Sequence, residues 1–373
     1  MKNNKKIFIC CTEQSGENIC YNILKRISTK NYIIDGVCGK ESEKFINNKF
    51  IDISEFKSIG FFEILLSLNK YIKMIKKLSD IIIKEKYNLV ICIDSPDFNY
   101  NLAKSIRRKG FKNNIIQIVA PTVWAWRKKR ALKFAKIYNE IFTLFSFENK
   151  YFESQGLKTT FIGHPIHYLQ NNSQKNKHFI SLLPGSRKKE IEQLFPYFEL
   201  VYLYLFSNKH LNFTIFIPTL PHLKEIIIKK THHWKIKTII TTDLNKIEKY
   251  YKNVFASITC SGTASLEIAK RLIPQIVIYK LNFFTVVLFS LFVKIKYANI
   301  INIINNKMII SEIVNFKLNK KNLLKSLKKL IHDDNFRNNQ IVQIKKNLPI
   351  FENKHDPYTI CEDRINKIIS KAN

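Results

Sequence analysis

The stretch Ser261-Gly262-Thr263-Ala264-Ser265-Leu266-Glu267 follows the apolar run Val254 to Thr259 and opens a helix-like segment ending near Leu272. A strand, a small-residue turn and a helix starting at that turn leave free backbone N–H groups facing one point, backed by the positive end of the helix dipole. Such a turn binds anions. Glu267 falls one turn inside the helix from Thr263, near enough to its N-terminus to accept hydrogen bonds from sugar hydroxyls. Phosphate on the amides of Gly262 and Thr263 and ribose on Glu267 suit a nucleotide. Ordinary capping by Ser and Thr accounts for the same turn without a ligand, and it is Glu267 that tilts the reading toward one.

A second turn of this kind is Leu183-Pro184-Gly185-Ser186-Arg187, between the apolar run Phe179 to Leu183 and a helical pattern carrying Ile191, Leu194 and Phe198. Arg187 in a first helical turn opposes the dipole, so its placement costs stability unless an anion compensates. It is read as a diphosphate ligand, with Ser186 beside it. The run Asn88 to Ile93 delivers Asp94-Ser95-Pro96-Asp97-Phe98-Asn99 at its carboxyl end. A carboxylate there, on a turn stiffened by Pro96, can take a proton from a substrate hydroxyl. Asp94 is the better chemical candidate, and Asp97 the better candidate for capping a helix from Tyr100 to Lys109.

Glu13 and Ser15 follow the short strand Lys6 to Thr12, at the carboxyl edge where α/β proteins bind ligands. A capping serine with polar neighbours is the alternative. No G-x-G-x-x-G occurs, so a dinucleotide fingerprint is unsupported. Pro121-Thr122-Val123-Trp124-Ala125-Trp126-Arg127-Lys128-Lys129-Arg130 places tryptophans and cations together. Trp126 and Arg127 can stack on bases or bind phosphate, or simply pack a loop.

These turns need strands and helices in alternation to hold them. Strands are expected at Lys6–Thr12, Tyr32–Cys38, Asn88–Ile93, Ile115–Ala120, Ile141–Phe145 and Thr159–Ile162, then at Phe179–Leu183, Phe213–Ile217, Thr238–Thr241, Val254–Thr259 and Gln275–Tyr279. A helix is expected over 59–86, a loop at Tyr297 to Asn302, helices from Lys307 to Lys346 and a terminal helix from Pro357 that packs back. Strand–helix alternation means α/β with parallel sheets. The expected division is a Rossmann-like domain over 1–168, a linker at 169–177, a second Rossmann-like domain over 178–346 and a helical tail over 347–373.

The chain has 373 residues and is 46% hydrophobic, enough for two domains and against disorder. Its seven cysteines are odd in number and scattered without a C-x-x-C pair, which suggests reduced thiols and neither a disulfide framework nor a zinc site. A formal net charge of +33 points to nucleic acid or an anionic membrane surface. Lys, Ile and Asn are over-used throughout, however, and compositional drift supplies most of that charge on this reading. No export segment is expected at the polar N-terminus. Phe283 to Val293, the strongest apolar run, has eleven residues, well short of the roughly 20 needed to span a bilayer. It is a buried or interfacial helix, and Phe61, Phe62, Leu65 and Leu66, followed by Lys70 and Lys73, are a second candidate for membrane contact, with a fully buried helix the default for that segment.

Two Rossmann-like halves with a nucleotide turn in the second describe a GT-B-type glycosyltransferase with a cleft between its domains. More closely, the sequence resembles the lipid-A-disaccharide synthases, over nearly the whole chain. The resemblance rests on Glu13-x-Ser15-Gly16, Ile93-Asp94-x-Pro96-Asp97-Phe98-Asn99, Pro121-x-Val123-Trp124-Ala125-Trp126-Arg127, Gly163-His164, Leu183-Pro184-Gly185-Ser186-Arg187 with Glu190, and Ser261-Gly262-Thr263-Ala264-x-Leu266-Glu267. The family's G-E-x-S-G-D begins here with Thr12 and ends with Glu17, and its L-P-N stands as Ile300-Ile301-Asn302 without the rigidifying proline.

The resemblance implies transfer of a sugar from UDP-2,3-diacylglucosamine to 2,3-diacylglucosamine 1-phosphate, with inversion and release of UDP. Asp94 is then the base, and Arg187, Ser186, Gly262, Thr263, Glu267 and Asn302 hold the UDP-sugar. Glu13, Ser15, Asp97, Trp126 and Arg127 face the acceptor. No metal or cofactor and no nucleic acid are expected, and the enzyme is expected at the cytoplasmic face of the inner membrane as a peripheral protein. Another UDP-sugar transferase or epimerase of the same architecture, or a basic nucleic-acid-binding protein, is the alternative.

Overall fold

The computed structural model describes residues 5–28, 32–56, 64–124, 129–169, 177–260, 262–280 and 296–371, with backbone alone at 64–68 and 167. Two compact units divide the chain, one of Met1–His167 with Ile350–Asn373 and one of Tyr168–Pro349.

The first unit is built on seven parallel strands: β1 (Lys5–Cys11), β2 (Tyr32–Cys38), β3 (Asn48–Asp52), β4 (Leu89–Ile93), β5 (Asn114–Ile118), β6 (Glu140–Thr143) and β7 (Lys158–Phe161). Their order across the sheet is 3-2-1-4-5-6-7. β4 reads Leu-Val-Ile-Cys-Ile and is buried at every position, the continuous apolar pattern of a strand covered on both faces. The chain runs outward one way from β1 and the other way from β4, so a crevice opens between their carboxyl ends. Cys11 pairs with Ile93 at those ends, and the turns bearing Ser15 and Asp94 leave the sheet side by side.

The second unit repeats the plan with β8 (Phe179–Leu183), β9 (Thr214–Pro218), β10 (Thr238–Thr241), β11 (Val254–Cys260), β12 (Gln275–Tyr279) and β13 (Ser311–Val314), all parallel and ordered 10-9-8-11-12-13. The reversal falls between β8 and β11, where Leu183 pairs with Thr259. Both turns read from sequence as anion sites emerge there.

The C-terminal helix, Pro357–Ser370, returns to the first unit. Asp356 caps it by accepting from the Tyr358 and Thr359 amides. Arg364 grips the buried Glu140 on β6 with Nε at 2.7 Å and Nη2 at 2.6 Å. Tyr32 on β2 donates to Asn366 at 2.9 Å.

Three expectations about elements are corrected, and one strand is added. The stretch after Lys307 is not helical from its start, because Ser311–Val314 forms the edge strand β13 before helices Lys320–His332 and Asp334–Asn347. Isoleucines crowd this stretch and satisfy a helical and a strand period alike. β3 was unanticipated: its sequence Asn-Lys-Phe-Ile-Asp buries only Ile51, as an edge strand can. Asn302 sits on a short helix, Ile300–Asn305, rather than in a loop. The helix after β4 begins at Pro96, so Ser95 is its N-cap position and Asp97 lies in the first turn.

Candidate active site

At the first unit's crevice the helix Gln14–Ile27 starts one residue after Glu13 and packs Ile19, Cys20, Ile23 and Leu24 into the core. That burial fixes its rotation and aims Ser15 across the sheet edge. Ser15 Oγ donates to Asp94 Oδ2 at 2.5 Å. Glu13 is exposed at the N-cap position of the same helix. Asp94 and Ser95 both have left-handed backbones, with φ of 54° and 41°. Such residues cost about 1–3 kcal/mol each and persist where the surroundings over-determine them. Asp97 is exposed and paired with Arg130, a surface ion pair that gives it a structural use. Glu17 turns away from the crevice, and its carboxylate accepts from the Gly39 and Ser42 amides at 2.8 and 3.0 Å. The longer side chain thus ties this helix to the segment after β2. It also approaches Cys11 and Cys20, the ligand atoms of the three lying within 4.8 Å of one another in the core.

After β6, Glu148 is buried, accepting from Trp124 Nε1 at 3.0 Å and from the Phe145 amide at 3.2 Å. Burial pushes its carboxyl up to about 8. The His164 ring stacks on Phe145, accepts the Ile166 amide on Nδ1 at 3.2 Å, and is held neutral by burial, which lowers it to about 4. Glu148 went unnoticed in the sequence because no spacing links it to Trp124. Trp126, Arg127, Phe61, Phe62 and Ser261 lie outside the described residues, as do the side chains of Leu65 and Leu66 and the whole run Phe283 to Val293.

In the second unit Arg187 is the residue just before the helix Lys188–Ser207, with its side chain 79% exposed. Glu190 closes the turn: Oε2 accepts the Ser186 amide at 3.1 Å and Oε1 meets Arg187 Nη1 at 3.3 Å. Gly185 has φ +115°, and a Cβ there would lie 2.6 Å from Glu190 Oε2, so conformation and space both require glycine. An exposed ion pair of this type is worth little, about 0–1 kcal/mol, and leaves the guanidinium available to an anion.

Gly262, with φ 122°, precedes the helix Thr263–Lys270, and Gly262 and Thr263 are exposed. Glu267 lies one turn in. Burial pushes its carboxyl up to about 7, against the pull of Arg271, which is engaged bidentately with Glu248 at 2.7 and 2.5 Å. Among the described residues nothing donates a hydrogen bond to the Glu267 carboxylate.

Asn302 stands differently. It is fully buried, donates to Ile310 O at 2.7 Å and Glu312 Oε2 at 3.1 Å, and accepts the Ile309 and Ile310 amides at 2.8 Å. With its amide consumed inside the fold, it shapes the backbone rather than presenting a group to a ligand. Glu312, absent from the sequence reading, also accepts the Asn299 amide at 2.8 Å, and Asn299 Nδ2 donates to Ser265 Oγ at 2.8 Å. The segment after residue 296 is thereby tied to the turn at Gly262.

Residues 7–356 match the family described as lipid-A-disaccharide synthetase. The chain belongs to the lipid-A-disaccharide synthetase family. The lipid-A-disaccharide synthase of Rickettsia prowazekii (strain Madrid E) is 34% identical over 372 residues, 96% of this chain and 97% of that one. That of Rhodospirillum centenum (strain ATCC 51521 / SW) is 26% identical over 351 residues, covering 90% and 87%. Among solved structures, UDP-GlcNAc 2-epimerase of Methanocaldococcus jannaschii in complex with UDP-GlcNAc and UDP superposes with a TM-score of 0.57 at 16% identity, over 98% of this chain and 99% of that one. Acinetobacter baumannii MurG gives 0.58 at 11%, over 97% and 99%. At such identities these likenesses establish the fold, two parallel-sheet units of GT-B type. As a lipid-A-disaccharide synthetase family member the protein is a glycosyltransferase of lipid A biosynthesis, and the family's charged motif residues stand at the switch points of its two sheets.

Proposed function

We propose that the protein transfers the 2,3-diacylglucosaminyl group of UDP-2,3-diacylglucosamine to the 6-hydroxyl of 2,3-diacylglucosamine 1-phosphate. The observation that carries this reading is Asp94: a carboxylate at the first sheet's switch point, on a left-handed turn, whose one side-chain partner among the described residues is the Ser15 hydroxyl. As the acceptor oxygen attacks the anomeric carbon from the face opposite UDP, Asp94 takes the hydroxyl proton. The bond from that carbon to the diphosphate oxygen breaks with its electron pair on UDP, which inverts the configuration and gives a β-1,6-linked disaccharide 1-phosphate.

The second unit is assigned the nucleotide. The exposed Arg187 guanidinium and the Gly262 and Thr263 amides meet the diphosphate, with Ser186 adjoining, and they stabilise charge that grows as UDP departs. The Glu267 carboxylate, to which no described residue donates a hydrogen bond, accepts the ribose hydroxyls. In the first unit Glu13 is assigned to the acceptor, as are Trp126 and Arg127 by their place in the motif. Among the described residues no helix is long and apolar enough to cross a membrane. Because both substrates carry acyl chains that partition into bilayers, the reading assigns the protein a peripheral place on the bilayer surface, at the cytoplasmic face of the inner membrane.

The test is UDP release from UDP-2,3-diacylglucosamine with the acylated acceptor, its deacylated form, or neither. Turnover that requires the acylated acceptor is expected. UDP-GlcNAc epimerisation with no transfer to the lipid acceptor would overturn the assignment.

A further inference from the structure

Two buried primary amides meet on one backbone oxygen. Gln117, fully buried on β5, directs Nε2 at Asp94 O at 3.0 Å, Ile118 O at 3.1 Å and Val119 O at 3.2 Å. Asn99, also fully buried, donates from Nδ2 to the same Asp94 O at 2.9 Å. The acceptor ends of both amides, Gln117 Oε1 and Asn99 Oδ1, have no hydrogen-bond partner among the described residues. An idle buried acceptor is unfavourable, and an apolar side chain of similar size would avoid it. The NH2 groups are therefore what this place retains.

The backbone they hold is strained. Asp94, Ser95 and Val119 have φ of 54°, 41° and 71°, although none is glycine and valine is β-branched. A left-handed β-branched residue is an outlier that only its surroundings can sustain. Gln117 reaches both strained places, Asp94 at the end of β4 and Val119 at the end of β5, where the segment leading to Trp124 begins.

We propose that Gln117 is a positioning residue for the transfer: its NH2 group clamps the left-handed turn at Asp94, together with the left-handed step at Val119, and so holds the Asp94 carboxylate in line with Ser15 and the acceptor hydroxyl. This rests on Asp94 being the base. Gln117 touches no substrate in this scheme, and it acts through the Asp94 main chain with Asn99 as its partner on the same oxygen.

The experiment compares Gln117→Met, which fills the space without a donor, with Gln117→His, which restores an N–H, each in the wild-type and Asp94→Asn backgrounds. The clamp lowers kcat in Gln117→Met by about tenfold or more, leaves KM for the UDP-sugar unchanged, and is largely restored in Gln117→His. In the Asp94→Asn background the same substitution adds no further loss, since a residue acting through Asp94 has nothing left to position. Wild-type kcat in folded Gln117→Met, or an equal loss in both backgrounds, overturns the proposal. If Gln117→Met does not fold, Gln117→Leu, which likewise carries no donor, takes its place, and wild-type kcat there overturns it equally. Should wild-type protein itself turn over no acylated pair, the assigned reaction fails and the clamp is judged by amide exchange. Exchange at Ser95 and Ala120 then quickens together in the variant, and unchanged exchange at both refutes it.

Discussion

Ser15 Oγ donates to Asp94 Oδ2 at 2.5 Å across 79 residues of chain, joining the first turn after β1 to the first turn after β4. The bond occupies one carboxylate oxygen, and among the described residues the other accepts no hydrogen bond; on the proposed reading it takes the substrate proton. Asp94→Asn keeps the size and the contact with Ser15 but cannot accept that proton, so turnover falls by about 10²-fold or more, the scale of a general base. UDP affinity, read by calorimetry, stays at the wild-type value. Wild-type turnover in this variant would remove Asp94 from the role.

Ser15→Ala tests the orientation rather than the base. A hydrogen bond to a charged group is worth about 1.5–3 kcal/mol, so kcat is expected to drop by roughly tenfold or more. Ser15→Thr keeps the hydroxyl and should keep most of the activity. An alanine variant as fast as wild type would make the Ser15 contact incidental.

Both turns at the second sheet's switch point were legible in the sequence because each is a short small-residue stretch between an apolar run and an amphipathic one, and a parallel sheet can place such a stretch only at its carboxyl edge. Asp94, Arg187 and Glu267 could be picked out for the same reason. Gln117, Glu148 and Glu312 could not, since each acts on a partner 10 to 24 positions away with no periodic relation between them. Asn302 shows the opposite failure: the motif marks the residue, but its inward orientation follows from Ile309, Ile310 and Glu312 closing around it. Over-use of isoleucine hid β13 by blurring the difference between the two hydrophobic periods.

Arg187 and Glu190 allow a graded prediction. Arg187→Ala removes a charge-assisted contact to the diphosphate and weakens UDP binding by about 1.5–3 kcal/mol. Glu190→Gln keeps a side-chain oxygen for the Ser186 amide but frees Arg187 from its ion pair, so UDP binding changes by less than in Arg187→Ala. Unchanged UDP affinity in Arg187→Ala would place the diphosphate elsewhere.

Glu267 predicts a pH dependence of nucleoside binding. Burial raises its carboxyl from the ordinary 4.5 to about 7 in the unliganded protein, so across pH 6 to 8 the side chain passes from mostly protonated to mostly ionised. Only the ionised form offers both oxygens to the ribose, and uridine, which carries no phosphate to titrate, should bind more tightly as pH rises through 7. The stability effect runs the other way. With the folded value above the unfolded one, the folded chain holds a proton that the unfolded chain releases, and Glu267 subtracts stability as pH climbs from 4.5 toward 7. Glu267→Gln flattens both trends, and uridine affinity that stays constant from pH 6 to 8 in wild type would show the ribose is not on Glu267.

The last prediction concerns the membrane. On the helix Ile64–Glu85, Met74, Leu78 and Ile82 are buried in the first unit, while Ile72, Lys73, Lys76 and Lys77 are exposed. The outer face is thus basic with an apolar residue among the lysines, the pattern of a helix resting on anionic headgroups. Each lysine near such a surface contributes about 1 kcal/mol, attenuated by salt over a Debye length. Binding to anionic vesicles should be reversible, weaken as salt is raised, and fall in a Lys73, Lys76, Lys77→Gln triple variant whose UDP affinity is unchanged. Phe61, Phe62 and Leu65→Ser is the apolar counterpart, expected to lower vesicle binding and activity on the acylated acceptor together. A serine variant that unfolds would assign those residues to the core. Normal vesicle binding by both variants would move the membrane contact to another surface, with the run Phe283 to Val293 the next to be substituted.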